Sequence, residues 1–339
     1  MCARWTAIDT ALDPAQVERF RADLERVYSE ASSDYFSFGV AVSGGADSLG
    51  LLLLAHAACP GLVEAATVDH GLRPESSEEA QFVAGVCRKI GVPHRILPVK
   101  VPRGNVQAQA RIARYEALAN WKDARGLDMI ATAHHADDQA ETLLMRLNRG
   151  SGLPGLVSVR PVNRIPGASG RLVRPLLNWR KAELEEVVRA AGFEPVTDPS
   201  NTDRSFDRVR IRQALAQADW IDPVALARSA ELLGEADAAL SRLVSDTYFE
   251  RVEQDGAGYR FAVDQTRYVR IEVVRQIFAE MAASPSRSEI ARLVDRLERL
   301  ENASLAGVLA TWSGEGSFAE NSVPKVWWHF QPEPPRKLN

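Results

Sequence analysis

An α/β fold with a parallel sheet, followed by a smaller unit of helices and a β-ribbon, is what this 339-residue sequence predicts. Three observations carry that prediction. Between residues 38 and 133, short apolar runs alternate with amphipathic helical stretches, which is the rhythm of βαβ units. The residues of strongest chemical character fall at 43–48, 69–73 and 134–141, each directly after one of those runs, where the C-terminal edge of a parallel sheet gathers ligands. Beyond about Asp219 the alternation stops, and long helical patterns precede two strand-like runs.

Taken in order, Val17, Phe20, Leu24 and Val27 recur at helical spacing and predict a leading helix over 14–32. Phe38-Gly39-Val40-Ala41-Val42 is a continuous apolar strand. Ser43-Gly44-Gly45-Ala46-Asp47-Ser48 is the turn after it, and Leu49 to Ala55 opens a helix. Val63–Val68 reads as a second strand ending in Asp69-His70-Gly71-Leu72-Arg73, and Ser76–Ile90 as an amphipathic helix stopped by Gly91 and Pro93. A strand at His94–Val99, a helix at Val106–Arg125 closed by Gly126, a strand at Asp128–Ala133 and a helix at Asp137–Arg149 complete the alternation. A proline- and arginine-rich stretch then leads to a helix at Lys181–Ala191 and another starting near Ser205. The second unit reads as helices at Pro223–Glu250, Val269–Met281 and Ser286–Leu300, with two strands inside Ala306–Phe330 joined at Ser313-Gly314-Glu315-Gly316. The tail, Gln331–Asn339, is polar and proline-rich and is expected to fray.

Length favours two domains, divided as 1–218 and 219–339. The N-terminus lacks the apolar core of a signal peptide and no apolar run approaches the roughly 18 residues of a membrane span, so a cytoplasmic protein with no membrane partner is expected. Cys2, Cys59 and Cys87 are scattered and odd in number, which indicates neither a disulfide framework nor a zinc knuckle. Net charge is −4, yet from Thr142 to Ala182 there is no Asp or Glu, while Arg146, Arg149, Arg160, Arg164, Arg171, Arg174, Arg180 and Lys181 are all positive. Such a stretch is either an electrostatic footprint for phosphates or a surface paired with acids elsewhere in the fold.

Glycines at 44 and 45 let several backbone N–H groups converge on one anion at a helix N-terminus. Ser43 and Ser48 add hydroxyls. Asp47 is out of place beside phosphate unless a divalent cation lies between them, so magnesium with a polyphosphate is the first inference. A Walker loop is excluded because the chain contains no Gly-Lys. Gly150, Gly152 and Gly155 have dinucleotide-binding spacing, but they follow a helix and enclose Pro154, which discounts them. Ser-Gly-Gly-x-Asp-Ser between a buried strand and a helix resembles the loop of the ATP pyrophosphatase, or PP-loop, family, whose members cleave ATP between the α- and β-phosphates. The resemblance implies a Rossmann-like sheet, with Ser43, Gly44, Gly45, Ala46, Asp47 and Ser48 holding the departing pyrophosphate and Asp47 serving its magnesium. A Gly-Gly turn that binds nothing is the plain alternative.

The next cluster is His134-His135-Ala136-Asp137-Asp138-Gln139-Ala140-Glu141-Thr142. On a helix beginning near Asp137, Asp138 and Glu141 share a face and can clamp an ammonium or a metal. A phosphohydrolase-type metal site is the rival, and an acidic first turn answering the helix dipole, at about 0.3–1 kcal/mol per charge, is the plain reading. Joined with the loop, Asp69-His70-Gly71-Leu72-Arg73, Ala110-Arg111-Ile112-Ala113-Arg114-Tyr115 and Asp198-Pro199-Ser200-Asn201-x-Asp203, this segment resembles the tRNA(Ile)-lysidine synthetase family over roughly residues 36–215. Ser205 to Arg212 resembles that family's aromatic-x-Arg-Asn-x-Ile-Arg ending, with Val209 where Asn is usual.

That resemblance implies an ATP- and Mg2+-dependent ligase that adenylates the wobble cytidine of an isoleucine tRNA with a CAU anticodon and then joins free L-lysine to it. It implies ATP-side roles for His70, Arg73, Arg111, Arg114 and His135, and lysine recognition by Asp138 and Glu141. Arg208 and Arg212 are expected to meet the lysine carboxylate or tRNA phosphates, and Arg146 and Arg149, from the acid-free stretch, the tRNA. Residues 219–339 are expected to help hold the tRNA, and a homodimer is left open. The alternatives are a tRNA thiolase of the same superfamily, which usually needs a cysteine pair absent here, an ammonia-dependent synthetase, and a non-catalytic tRNA- or nucleotide-binding module.

Overall fold

Four apolar residues without alternation make a strand buried on both faces, and β1 (Phe38–Ala41) is buried throughout. It follows α1 (Pro14–Tyr28), which turns Phe20, Leu24 and Val27 inward. The leucine run of α2 (Ala46–Ala58) is apolar all round, and every residue from Ser48 to Ala58 is buried. The chain continues through β2 (Val63–Asp69), α3 (Glu75–Ile90), β3 (His94–Pro98), α4 (Val106–Arg125), β4 (Met129–Ala131), α5 (Ala136–Asn148) and the short α6 (Leu153–Leu156). Then come β5 (Val162–Arg164), β6 (Arg171–Val173), α7 (Lys181–Ala190), α8 (Asp207–Gln217) and α9 (Pro223–Arg251). This computed structural model describes residues 12–28, 37–71, 75–101, 106–196, 207–314 and 326–333. They fall in two compact units, Met1–Gly234 and Glu235–Asn339.

The first unit holds a six-stranded sheet in the order β3-β2-β1-β4-β6-β5. Pairings from β3 to β6 are parallel, and β5 is an antiparallel edge. The chain builds outward from β1 to β2 and β3, then returns to lay β4 on the other side of β1, so the order reverses between β1 and β4. That is the switch point where open α/β sheets bind ligands. Gly39 is needed in β1 because Trp121 of α4 packs on it; a Cβ there would lie 2.4 Å from the indole. The sequence reading missed β5 and β6, which at three residues each are too short to show a period.

In the second unit the expected two-stranded ribbon is part of a larger sheet. β7 (Val252–Asp255) and β8 (Gly258–Ala262) precede α10 (Arg267–Glu280) and α11 (Arg287–Glu298), and β9 (Ala303–Leu305), β10 (Val308–Gly314) and β11 (Val326–Pro332) follow. Together they form an antiparallel sheet in the order β7-β8-β11-β10-β9. Val326, Trp328 and Phe330 alternate into the core, where Trp328 meets Phe261 and Phe330 meets Phe278 edge to face, each at 6.0 Å. Gln331 and Pro332, read as fraying tail, belong to β11; residues 334–339 lie outside the described set.

Candidate active site

α2 begins at Ala46, and its cap, Gly45, has an extended backbone and no side-chain hydrogen bond. The N–H groups of its first turn therefore have no intrahelical partner and carry the positive end of the helix dipole. Gly44 has φ 89°, and a Cβ there would sit 3.3 Å from Val196. Val196 N–H donates to the Gly44 carbonyl at 2.9 Å. Ser48 ties the loop from within: its Oγ accepts from Ser43 N–H at 3.0 Å and donates to the Gly45 carbonyl at 3.0 Å. The Ser48 proton is thus engaged in shaping the cradle, and the Ser43 hydroxyl, 3.2 Å from Ser48 Oγ, donates to it, which leaves the backbone N–H groups of the first turn to face an anion.

The cluster after β4 is coupled to this loop. His135 is 4% exposed. Its Nε2 lies 3.5 Å from both Asp47 Oδ2 and Asp138 Oδ2, and its Nδ1 3.5 Å from Asp137 Oδ2. Burial works to lower the His135 pKa, but its contacts with Asp137 and Asp47 and the charge of Asp138 outweigh it and raise the value to about 10. Asp137 accepts from Lys181 N–H at 2.8 Å and Arg180 Nη2 at 3.1 Å. Although burial opposes ionisation, His135, Lys181 N–H and Arg180 hold the Asp137 carboxyl well below the usual carboxylate range. The start of α7 is thereby fastened to α5 and, through His135, to Asp47.

Asp138 and Glu141 do share a face of α5, and α8 supplies two arginines to it. Arg208 donates Nε to Glu141 Oε2 at 2.7 Å and Nη2 to Asp138 Oδ1 at 3.0 Å. Arg212 donates Nε to Glu141 Oε1 at 2.6 Å. Glu141 is 2% exposed and compensated by both guanidinium groups. His134 Nδ1 lies 3.2 Å from Thr132 Oγ1. Burial, opposed by Asp138 and reinforced by Arg174, Arg114 and Arg208, pushes the His134 pKa down to about 4, so the ring is neutral at pH 7.

These elements meet around a cavity of about 180 Å³ lined by Ser43, Gly45, Asp47 and Ser48 from the loop, Arg114 from α4, Thr132 and His134 after β4, and Asp138 and Arg208. Magnesium fits the donors present. Asp47 Oδ1 is buried without a hydrogen-bond partner beside the cradle, and Mg2+ typically takes one or two carboxylates together with substrate oxygens and water. The rival phosphohydrolase-type site lacks its ligand set, since no group of three or more His, Cys, Asp or Glu able to hold a metal occurs among the described residues.

Other candidate residues lie elsewhere. Arg111 is exposed and stacks 5.1 Å over Tyr115. Arg146 donates to the Gly155 carbonyl at 3.5 Å, and Arg149 pairs with Asp207 at 3.0 Å. His70 follows β2 with its Nδ1 buried and without a hydrogen-bond partner. Arg73 and residues 197–206, including the Asp198–Asp203 motif, lie outside the described residues. The acid-free arginine stretch is not one surface, because Arg174 is buried and Arg180 is spent on Asp137. Sequence reasoning gave no role to Thr132, nor to the ties of Asp137 with Arg180 and Lys181; their partners are remote or sit beside a strand of three residues.

An uncapped glycine loop at the switch point of a parallel sheet, facing a carboxylate–arginine cluster across one small cavity, defines an ATP-using protein of the PP-loop class, and the PP-loop domain family matches residues 16–219. A tRNA(Ile)-lysidine synthase from Novosphingobium aromaticivorans is 42% identical over 86% of this chain and 89% of its own length. Another, from Zymomonas mobilis, is 38% identical over 92% and 95% respectively. The chain belongs to the tRNA(Ile)-lysidine synthase family. Among solved structures, the U34-tRNA thiolase NcsA from Methanococcus maripaludis with its [4Fe-4S] cluster is similar in fold, with a TM-score of 0.53 at 15% identity over 65% of this chain and 79% of that one.

Proposed function

We propose that this enzyme joins free L-lysine to C2 of the wobble cytidine in the CAU anticodon of isoleucine tRNA. The observation that carries the reading is that the phosphate loop and the Asp138–Arg208 pair line the same cavity in a chain of this family. In the first step the cytidine C2 oxygen attacks the α-phosphorus of ATP, the bond to the bridging oxygen breaks, and pyrophosphate leaves toward the α2 N–H groups. Bound magnesium supplies charge neutralisation on the phosphates, with Asp47 as its protein carboxylate. In the second step the lysine ε-nitrogen attacks C2, the C2–O bond breaks, AMP departs with that oxygen, and the ammonium proton is released.

Lysine presents an α-ammonium and a carboxylate as well as its nucleophile. Asp138 beside Arg208 offers an acceptor and a forked donor side by side, which suits such a zwitterionic head group. Residues 219–339 serve as the tRNA-binding domain in this reading, and the enzyme works in the cytoplasm. No helix among the described residues is long and apolar enough to cross a membrane. A thiolase reading has little support, because Cys59 and Cys87 are buried with thiols that burial pushes up to about 12.

The test is incubation with ATP, Mg2+, radiolabelled lysine and CAU isoleucine tRNA, with methionine tRNA as control. Label is expected in the isoleucine tRNA only. If neither tRNA takes up label, the reading fails.

A further inference from the structure

A buried guanidinium without a counter-charge is costly, and Arg174 has none among the described residues. It directly follows β6 and is 5% exposed. Its Nη1 donates to the Arg160 carbonyl at 2.7 Å, while its Nε is buried with no hydrogen-bond partner. Two more arginines are gathered with it by Tyr115, which is itself 2% exposed. Arg111 lies 5.1 Å over the Tyr115 ring, Arg174 reaches the Tyr115 hydroxyl, and Arg114, the neighbour of Tyr115, lines the cavity. Among the described residues no carboxylate compensates Arg174 or Arg114; the neighbours that act on their charge are Tyr115 and the like-charged Arg111. Burial first, and then Arg111, pulls the Arg174 pKa down. Such a cluster is built to receive an anion: Arg111 and Arg114 are exposed and accessible to it, and Arg174 stands buried behind them.

We propose that Arg174 completes a phosphate-binding site with Arg111 and Arg114 around Tyr115, on the β4–β6 side of the cavity and separate from the cradle at the start of α2. The inference rests on the proposed ligase reaction for its choice of ligand. Pyrophosphate belongs to the loop after β1, whereas β6 lies beyond β4, on the side away from β2. The oxyanion held there is therefore a phosphate that stays when pyrophosphate leaves: the α-phosphate carried into the adenylated intermediate, or a backbone phosphate of the RNA strand. Arg174 is too deeply buried for the surface role that the acid-free stretch suggested, and this site gives its charge a partner.

The experiment compares wild type, R174Q, R174K and Y115F for binding of AMP, inorganic pyrophosphate and CAU isoleucine tRNA, with thermal melts in the absence of ligand. R174Q is expected to weaken AMP or tRNA binding by at least about tenfold and to leave pyrophosphate affinity at the wild-type level. R174K recovers part of the loss, and Y115F weakens the same ligand to a smaller degree. R174Q is also expected to melt no lower than wild type, since it removes an uncompensated charge. Loss confined to AMP assigns the α-phosphate; loss confined to tRNA assigns the RNA backbone. If R174Q folds and binds both as wild type does, the site is overturned. If R174Q fails to fold, R174K and Y115F decide by the same criterion. A wild type that binds in this Arg174-dependent way yet transfers no lysine overturns the ligase reading and leaves the phosphate site standing.

Discussion

Asp138 faces three partners at once: the His135 N–H at 3.2 Å, Arg208 at 3.0 Å, and the cavity itself. Replacing it with Asn keeps the shape and removes the charge that an ammonium needs. Asp138→Asn is expected to raise the KM for lysine by about 10- to 100-fold while pyrophosphate release with tRNA stays near wild type; equal loss in both half-reactions would remove the assignment. Asp137 behaves differently because it faces α7 and His135. Its ionised form is favoured by the fold, so its contribution to stability is complete above the ordinary value of 3.8 and is lost as the pH falls through the lower folded value. Asp137→Asn is accordingly expected to flatten the fall in unfolding free energy between about pH 5 and pH 2, measured by urea titration. An unchanged slope would show that Asp137 is not the acid-sensitive group.

At the scale of elements, the parts that bind were easier to read than the parts that brace. The strand, loop and helix from Phe38 to Ala58 were legible because a continuous apolar run, two glycines and a leucine block each have one dominant solution. The His134–Glu141 segment was legible as chemistry, but its pairing with Arg208 and Arg212 was not, since 67 residues separate Arg208 from Glu141. β7 and β8 do carry a signal, the two-residue loop Gly256-Ala257 with Gly256 at φ 61°, but the flanking runs are mixed and polar and do not read as strands. The β9–β10 hairpin gave none: Ala306 and Gly307 form its tip with φ 48° and 80°, and alanine does not advertise a left-handed position. Ala306→Asn is expected to raise unfolding free energy by up to about 1 kcal/mol, because asparagine tolerates that conformation better. Gly39→Ala is expected to lower it by about 1–3 kcal/mol, since the new methyl meets Trp121; a neutral result in chemical denaturation would mean that the indole moves freely.

For the whole molecule, the buried thiols report on opening. Cys59 and Cys87 keep their protons up to about 12 when folded, against 9.0 for the unfolded value, so their contribution to stability is lost as pH climbs from 9.0 toward 12. Alkylation of either residue at pH 8.5 is expected to track unfolding as urea is raised; rapid modification of the native protein would contradict their burial. The Ser48 hydroxyl, held by one backbone donor and one backbone acceptor of its own loop, has a different kind of consequence. The bonds that shape the cradle come from within the loop itself. Binding is therefore expected to freeze little chain, and turnover to need no refolding of this loop between one nucleotide and the next.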